Sequence, residues 1–304
     1  MTNLDPQSAL FLANVDRIQE RLTQANNQVT SGKRIMVASD APDQIGSLLQ
    51  LRSDRQHNTQ IQSNLALAQT DASAADDALS SAIQLMDSAV GLAAQGASST
   101  SDAAGRQSLA QQIQAIRQQM VAISQTNVQG RYIFSGDQDG SPSYSWNSAA
   151  TNPVSTVITP KSTRVIEDPS GGTFAASKTA GEIFDKQSDG QPATDNVFNA
   201  LSQLQTALEN NDDATINSSI TLVKTASDHL NSMQAFYGNV QVRIANATDF
   251  ASKYDVQLQT EISQKEDTDI TSAALETVQG NTQLQAAFQM RAQMPHQSLF
   301  SYLG

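Results

Sequence analysis

The stretch Gly130-Arg-Tyr-Ile-Phe-Ser-Gly136 decides the fold of this chain, because the spacing of the apolar residues changes there. Before it, apolar residues recur every three or four positions, as they do on one face of a helix. After it, β-branched and aromatic residues come in short clusters between Gly, Pro, Asn and Asp, and helical spacing then returns up to the C-terminus. The sequence therefore predicts two helical arms that flank a small β-rich insert.

The composition favours helices that pair along narrow seams. Of the 304 residues, 38% are hydrophobic and only 5% are aromatic, which is little for a thick globular core. Paired helices need apolar side chains only along their line of contact. We therefore predict a mainly α fold, an elongated antiparallel helical rod with coiled-coil arms at both chain ends.

The charge and residue content disfavour several function classes. A net charge of −12 argues against a nucleic-acid binder, which needs a basic surface, and against binding to anionic membranes. The absence of cysteine excludes disulfides, thiolate metal sites and thiol catalysis. The N-terminus lacks the basic and apolar regions of a signal peptide, and no stretch is apolar enough to span a membrane. We expect no nucleic-acid partner, no membrane insertion and no export by a cleaved signal peptide.

The first predicted helix carries a coiled-coil seam, which implies a partner helix. Its apolar residues alternate between spacings of four and three: Phe11, Val15, Ile18, Leu22, Ala25 and Val29. The seam stops at Ser31-Gly32. A break at Ala38–Asp43, with a proline in the position of a first helical turn, predicts that the second helix begins near Asp43.

The two longest predicted helices, at 43–94 and 214–265, have equal lengths. They can therefore pair antiparallel along their whole length. The polar stretch Arg52–Gln60 interrupts the seam of the first, and its side chains are either solvated or face another subunit. A further helical seam runs from Leu109 to Ile123, and Gly130 is predicted to end that helix.

The last helix restarts after Asp267-Thr-Asp269. Its predicted seam residues are Ile270, Ala274, Val278, Leu284 and Phe288. Pro295 is predicted to kink it. Four apolar residues then follow in the C-terminal segment: Leu299, Phe300, Tyr302 and Leu303.

Both chain ends are nearly free of charge. The only ionisable side chain in Met1–Val15 is that of Asp5, and the only ones in Thr277–Gly304 are those of Arg291 and His296. They can therefore be buried at little electrostatic cost, and one helix pair can bury only a little of them by itself. We predict that the two terminal seams are contacts between subunits, whereas the other seams form an intramolecular core.

The insert is predicted to consist of short strands between turn residues. The candidates are Tyr132–Phe134, Tyr144–Trp146, Val154–Ile158, Arg164–Ile166 and Thr173–Ala175. Together these assignments divide the chain into three parts. Residues 1–42 and 266–304 form terminal coiled-coil arms, 43–135 and 192–265 form a long-helix rod, and 136–191 form a β-rich outer insert.

The sequence contains no catalytic or metal-binding constellation with the required spacing. Ser31-Gly-Lys-Arg34 is similar to the end of a phosphate loop, but it lacks the earlier glycine and the magnesium-binding hydroxyl. Asp137-Gln-Asp-Gly140 begins like a calcium loop, but the residues at the later positions of the loop are not those that the motif requires. The three histidines are far apart in the sequence. We predict no catalytic residue, no metal and no cofactor, so the protein is not expected to be an enzyme.

Four stretches resemble the flagellin superfamily. The first is the helix that closes with Gln28-Val-Thr-Ser-Gly-Lys-Arg-Ile35 and is followed by Ala38-Ser-Asp-Ala-Pro42. Gly130–Gly136 and the ending Ser298-Leu-Phe-Ser-Tyr-Leu303 resemble motifs of the hook-filament junction branch of that superfamily, and Asp267–Ile270 resembles the start of its C-terminal helix. The ending departs from the branch at Phe300-Ser301, where Leu-Asp is usual.

The resemblance implies a structural role outside the cell, in the bacterial flagellum. It implies that the chain ends form the inner coiled coil of a tubular assembly, that the long helices form the next layer and that the insert faces outward. It also implies flagellar type III export and the following partners: other copies of the chain in a ring or short stack, a neighbouring hook-associated protein, flagellin, and an export chaperone at the C-terminal region. The alternatives are a filament-forming flagellin and, outside the superfamily, a secreted coiled-coil adhesin or effector.

Overall fold

The computed structural model describes residues 6–150 and 152–293 and divides the chain into two compact units. The terminal unit comprises residues 1–57 and 254–304, and the central unit comprises residues 58–253. These units divide the chain at different residues from the three predicted parts. The predicted kink at Pro295 and the apolar residues Leu299, Phe300, Tyr302 and Leu303 lie outside the described residues.

The helices of the terminal unit begin and end close to the predicted residues. Helix α1 spans Pro6–Ser31 and the last helix, α7, spans Ile270–Gln293. The long helix α2 spans Pro42–Gly96 and the long helix α6 spans Asp213–Glu266, so each has one end in this unit. Proline favours the first helical position because its missing N–H would have no partner there, and Pro42 begins α2.

Helices α2 and α6 run antiparallel, as predicted, and polar contacts show their register in each unit. In the central unit Asn58 Nδ2 donates to the carbonyl of Ala251 at 2.8 Å, and Gln241 Nε2 donates to the carbonyl of Ala72 at 3.4 Å. In the terminal unit Arg55 Nε donates to Asp255 Oδ1 at 3.0 Å. Most residues of the polar stretch Arg52–Gln60 are exposed, as the solvated alternative predicts, and Asn58 is buried against α6 of the same chain.

The central unit also contains helices that are shorter than α2 and α6. Helix α3 spans Ala103–Ser124, and Asp102 caps it by accepting a hydrogen bond from the amide of Gly105 at 2.7 Å. Helix α5 spans Val197–Glu209 and is capped by Asn196. The prediction that α3 reaches Gly130 was wrong. The helix ends at Ser124 because the chain turns into a hairpin whose tip, Gln129-Gly130, has positive φ at both residues.

The strands of the central unit form four two-stranded antiparallel hairpins. Strands β1 (Asn127–Val128) and β2 (Arg131–Tyr132) form the first, and β3 (Tyr144–Trp146) pairs with β4 (Val154–Thr156). Strand β5 (Val165–Glu167) pairs with β6 (Thr173–Ala175), and β7 (Gln187–Ser188) with β8 (Gln191–Pro192). A short helix, α4 (Ala180–Phe184), precedes β7. The sequence pattern located β3 and β6 correctly but missed α4, β1, β7 and β8.

The insert and the helices share one hydrophobic core. Phe134, Phe184 and Tyr237 of α6 are almost fully buried in it. The rings of Phe134 and Phe184 pack edge to face with their centroids 5.8 Å apart. Those of Phe134 and Tyr237 do so with their centroids 6.4 Å apart. The amide of Lys178, just before α4, donates to Tyr237 Oη at 3.0 Å. Residues 136–191 therefore help to build the core of the central unit.

We expect Phe184→Ala to destabilise the whole central unit by about 3–5 kcal/mol, because it removes an aromatic ring from this shared core. The measurement is urea unfolding followed by circular dichroism. Val242→Ala is the matched control, because Val242 is exposed on α6 and its loss should change the free energy of unfolding by less than about 0.5 kcal/mol. An unchanged helical transition in Phe184→Ala would show that the insert is energetically independent of the helices.

Candidate assembly site

The terminal helices α1 and α7 pack against each other along one narrow line. Val15, Leu22 and Ala25 of α1 are buried there, and Phe11 and Ile18 are partly buried. On α7 the buried residues are Ala273 and Gly280. A Cβ atom at Gly280 would lie 2.8 Å from two carbon atoms of Leu22, so the absence of a side chain there allows the close approach.

Several predicted seam residues point away from this pair. Ile270 and Val278 of α7 are exposed, and Phe288 is 52% exposed although its ring meets Phe11 at 6.4 Å. Leu284 is partly buried. Val29 continues the α1 seam, but it is exposed because α7 begins only at Ile270 and gives it no cover. The face of α7 that packs on α1 is therefore built from small residues, and most of its large apolar residues predicted to contact other subunits are exposed in the single chain.

The pair consequently presents large apolar side chains to its surroundings. On α1 these are Leu10 and Leu12, and on α7 they include Leu275, Val278 and Met290, all of them 46% exposed or more. Exposed apolar residues that recur along the helices of a soluble protein are typical of a binding surface. We name the exposed apolar side chains of α1 and α7 the terminal apolar surface.

The predicted motif Ser31–Ile35 is the point where α1 and α7 are joined to the long helices. Gly32 has φ +70°, accepts a hydrogen bond from the amide of Thr268, and ends α1. The amide of Arg34 donates to the carbonyl of Glu266, and its guanidinium donates to the carbonyl of Lys265 at 2.7 Å. Ile35 is buried among Ala41 and Leu48. The motif therefore fixes the loop after α1 onto the end of α6.

Glu266 is the charged centre of this connection. Its carboxylate is almost fully buried and forms ion pairs with Lys33 and Arg52, the latter at 2.6 Å. Burial by itself would raise the pKa of Glu266, but the hydrogen bonds from Lys33 and Arg52 outweigh it and lower the pKa below its ordinary value. The carboxylate is therefore charged at neutral pH. Sequence reasoning missed Glu266 because neither partner is near it in the sequence.

The second predicted motif, Gly130–Gly136, is mostly internal to the central unit. Arg131 lies 3.3 Å from the carboxylate of Asp71 on α2, and Tyr132 is partly buried. Ile133, Phe134 and Ser135 are buried. Gly136 has φ +54°, and a Cβ atom there would lie 2.3 Å from the carbonyl oxygen of Ser162. These contacts explain the motif as a requirement of folding.

Metal-ligating side chains and apolar helices are the features of the described residues that bear on a metal site and on a membrane-spanning helix. In residues 6–150 and 152–293, His, Cys, Asp and Glu form no group of three or more that could hold a metal ion. None of the helices in the described part of the chain is both long and apolar enough to cross a membrane.

Two family models match the chain. Residues 4–139 match the bacterial flagellin N-terminal helical region, and residues 220–303 match the bacterial flagellin C-terminal helical region. No curated protein matches the sequence.

Solved structures share the fold at low sequence identity. A protein assigned as a flagellar hook-associated protein of Vibrio parahaemolyticus matches with a TM-score of 0.63 and 19% identity, over 75% of this chain and 100% of that one. FlgL of Bacillus cereus has a TM-score of 0.54 and 18% identity, over 72% of this chain and 100% of that one. FlgL of Xanthomonas campestris has a TM-score of 0.58 and 16% identity, over 68% of this chain and 98% of that one.

We expect Glu266→Gln to weaken the connection between α6 and the loop after α1 by about 1–2 kcal/mol. This loss of stability is smaller than the loss on breaking a fully buried ion pair, because the side chains of Lys33 and Arg52 are half exposed. The measurement is hydrogen exchange at the amides of Arg34 and Thr268, which bond across this connection. Asp249→Asn, at an exposed position of α6 in the central unit, is the matched control.

The same experiment has a pH dependence. Because the folded state lowers the pKa of Glu266, its contribution is present above the ordinary value of 4.5 and is lost as the pH falls through the folded pKa. Protection of these two amides should therefore fall at acid pH in the wild type and change less in Glu266→Gln. Equal protection in both proteins at neutral pH would show that the ion pairs contribute nothing.

Proposed function

Because the chain belongs to the flagellin superfamily, whose members are structural proteins of the bacterial flagellum, we propose that it is the adaptor that joins the hook to the filament. In this proposal it is exported unfolded through the flagellar type III channel without a cleaved signal peptide, and a cytoplasmic chaperone binds its C-terminal region before export. Outside the cell it assembles through its terminal helices. The role is structural and involves no catalysis.

The terminal apolar surface is the observation that carries this proposal. A helix pair that buries only Val15, Leu22, Ala25 and two small residues of α7 gains little free energy from its own packing. The apolar side chains that remain exposed gain much more when other copies cover them. Self-assembly therefore completes the core that the single chain leaves open, with the seam residues Phe11, Ile18, Val29, Ile270, Leu284 and Phe288 in the buried layer. The C-terminal residues Leu299, Phe300, Tyr302 and Leu303 extend that layer.

Three features favour a junction protein over other classes. The Gly130–Gly136 motif resembles the junction branch of the superfamily. The similar folds include two FlgL proteins and a protein assigned as hook-associated. The matches to both flagellin regions disfavour an unrelated adhesin or effector. A filament-forming flagellin is the second candidate, because the matching family models are those of flagellin itself.

A junction protein and a flagellin differ in the surfaces that they need. A subunit that repeats without limit has upper and lower surfaces that fit each other, whereas an adaptor has one surface for each of two neighbours. The adaptor therefore stops after a ring or a short stack. Its neighbours are a hook-associated protein on one side and, directly or through further proteins, flagellin on the other.

We expect that deleting the gene for this chain leaves hooks on the cell but no filaments, with flagellin released into the medium. The measurement is electron microscopy of the cells together with detection of flagellin in the culture supernatant. Complementation with the intact gene is the control. Normal filaments in the deletion strain would reject the junction role, and long filaments grown from the purified protein alone would move the assignment to flagellin.

We also expect α1 and α7 to be cut by protease before the helices of the central unit in the dilute monomer, and to become protected on assembly. The reason is that few buried apolar contacts oppose their local opening. The measurement is limited proteolysis with mass spectrometry at low and high protein concentration. Equal resistance of α1, α7 and the central unit in the dilute monomer would contradict assembly-coupled ordering.

A further inference from the structure

Helix α1 carries two pairs of like charges with the same spacing. Asp16 and Glu20 are four residues apart, and so are Arg17 and Arg21. Residues four apart lie one above the other on a helix, and a step of one residue turns the helix by about 100°. The two pairs therefore occupy neighbouring flanks. We name them the acidic flank (Asp16, Glu20) and the basic flank (Arg17, Arg21).

Three of these four charges form no ion pair with another described residue. Arg21 donates to Glu276 Oε1 of α7 at 2.9 Å. Within the described part of the chain, Asp16, Arg17 and Glu20 form no ion pair, and all three are exposed. Like charges at this spacing repel each other in an isolated helix. The arrangement therefore gains from an external partner on each flank.

The acidic flank faces an open groove of about 860 Å³. Its floor is α1, and its wall is the loop that contains Arg34 and Asp40. The guanidinium of Arg34 is held by Gln44 Oε1 and by the carbonyl of Lys265. The carboxylate of Asp40 accepts from the amides of Met36 and Val37. The opposite charges of Arg34 and Asp40 offset each other, so the groove keeps the net negative charge of Asp16 and Glu20.

We propose that the acidic flank of α1 binds the basic flank of α1 in a second copy of this chain, with the two helices side by side and parallel. This inference rests on the self-assembly in the proposed function and names the contact that directs it. Each flank also has an exposed leucine on its own side of the helix, Leu12 four residues before Asp16 and Leu10 seven residues before Arg17. The contact thus combines ion pairs with apolar burial.

The occupant is a second copy because the two flanks complement each other in sign and in spacing. The contact joins different surfaces of identical chains, so it leaves one free flank at each end and can be repeated. Repetition gives a ring when the rotation between copies closes and a helical stack when it does not. Charge pairing also favours one register, because a shift of one helical turn leaves one charge of each flank without its partner.

Two charge-reversal variants of the full-length chain test this contact. One is the double variant Asp16→Lys with Glu20→Lys, and the other is Arg17→Glu, which leaves the bond between Arg21 and Glu276 in place. Each variant alone should self-associate at least about tenfold more weakly than the wild type. An equimolar mixture should recover association, because the introduced lysines of one protein meet the introduced glutamate of the other.

The measurement is sedimentation velocity at low ionic strength, with circular dichroism to show that helix content is unchanged. Asp87→Lys with Asp249→Lys is the matched control, because it makes the same change in net charge at exposed sites of the central unit. The proposal is overturned if the double variant associates as the wild type does, if the control is weakened equally, or if the mixture associates no better than either variant.

Two further outcomes separate this inference from the proposed function. If the wild type associates and the flank variants associate equally well, self-assembly stands and the flank contact fails. If the variants self-associate normally but bind isolated hooks less well, the flanks belong to a contact with another flagellar protein, and the inference is overturned. A wild type that stays monomeric at every concentration contradicts self-assembly itself.

Discussion

A pair of helices has only one buried line of contact, and this constraint governs the terminal part of the molecule. Along that line α1 and α7 use Val15 and Leu22 on one side and Gly280 on the other. Among the described residues, the other large apolar side chains of the pair are partly or largely exposed. The chain ends carry few ionisable side chains, so burial of that surface has little electrostatic cost. The single chain is therefore built as an incomplete core.

The loop after α1 is attached to the end of α6 mainly by ion pairs and backbone hydrogen bonds. Glu266 is held by Lys33 and Arg52, while Arg34 binds the backbone at the end of α6. These interactions are directional and do not depend on a large apolar area. They hold the loop after α1 against the end of α6 even when α1 and α7 have no neighbours. Within the described residues, the apolar contribution to this attachment is the small cluster around Ile35, and the large apolar side chains of α1 and α7 do not take part in it.

The sequence predicted the parts of the fold that depend on local pattern. The long helices and the strands Tyr144–Trp146 and Thr173–Ala175 follow from periodicity and turn residues. The face of α7 that packs on α1 did not follow from periodicity. A periodicity argument relies on large apolar residues, whereas the close approach of the two helices depends on Gly280. The ion pair between Arg52 and Glu266 depends on the register between α2 and α6. These helices are far apart in the sequence, so local sequence patterns do not predict that register. The polar strands at Gln187–Pro192 carry no strand signal at all.

The two motifs that carry the family resemblance have different places in the fold. Ser31–Ile35 lies where the terminal helices join the long ones, so it belongs to any chain built on this plan. Gly130–Gly136 is explained by the buried aromatic cluster and by the contact of Gly136 with the backbone at Ser162. The buried residues of this motif, Ile133, Phe134 and Ser135, serve the core of the central unit and are not available to a partner. Contacts with other proteins need exposed residues, and the charged side chains of α1 are among them.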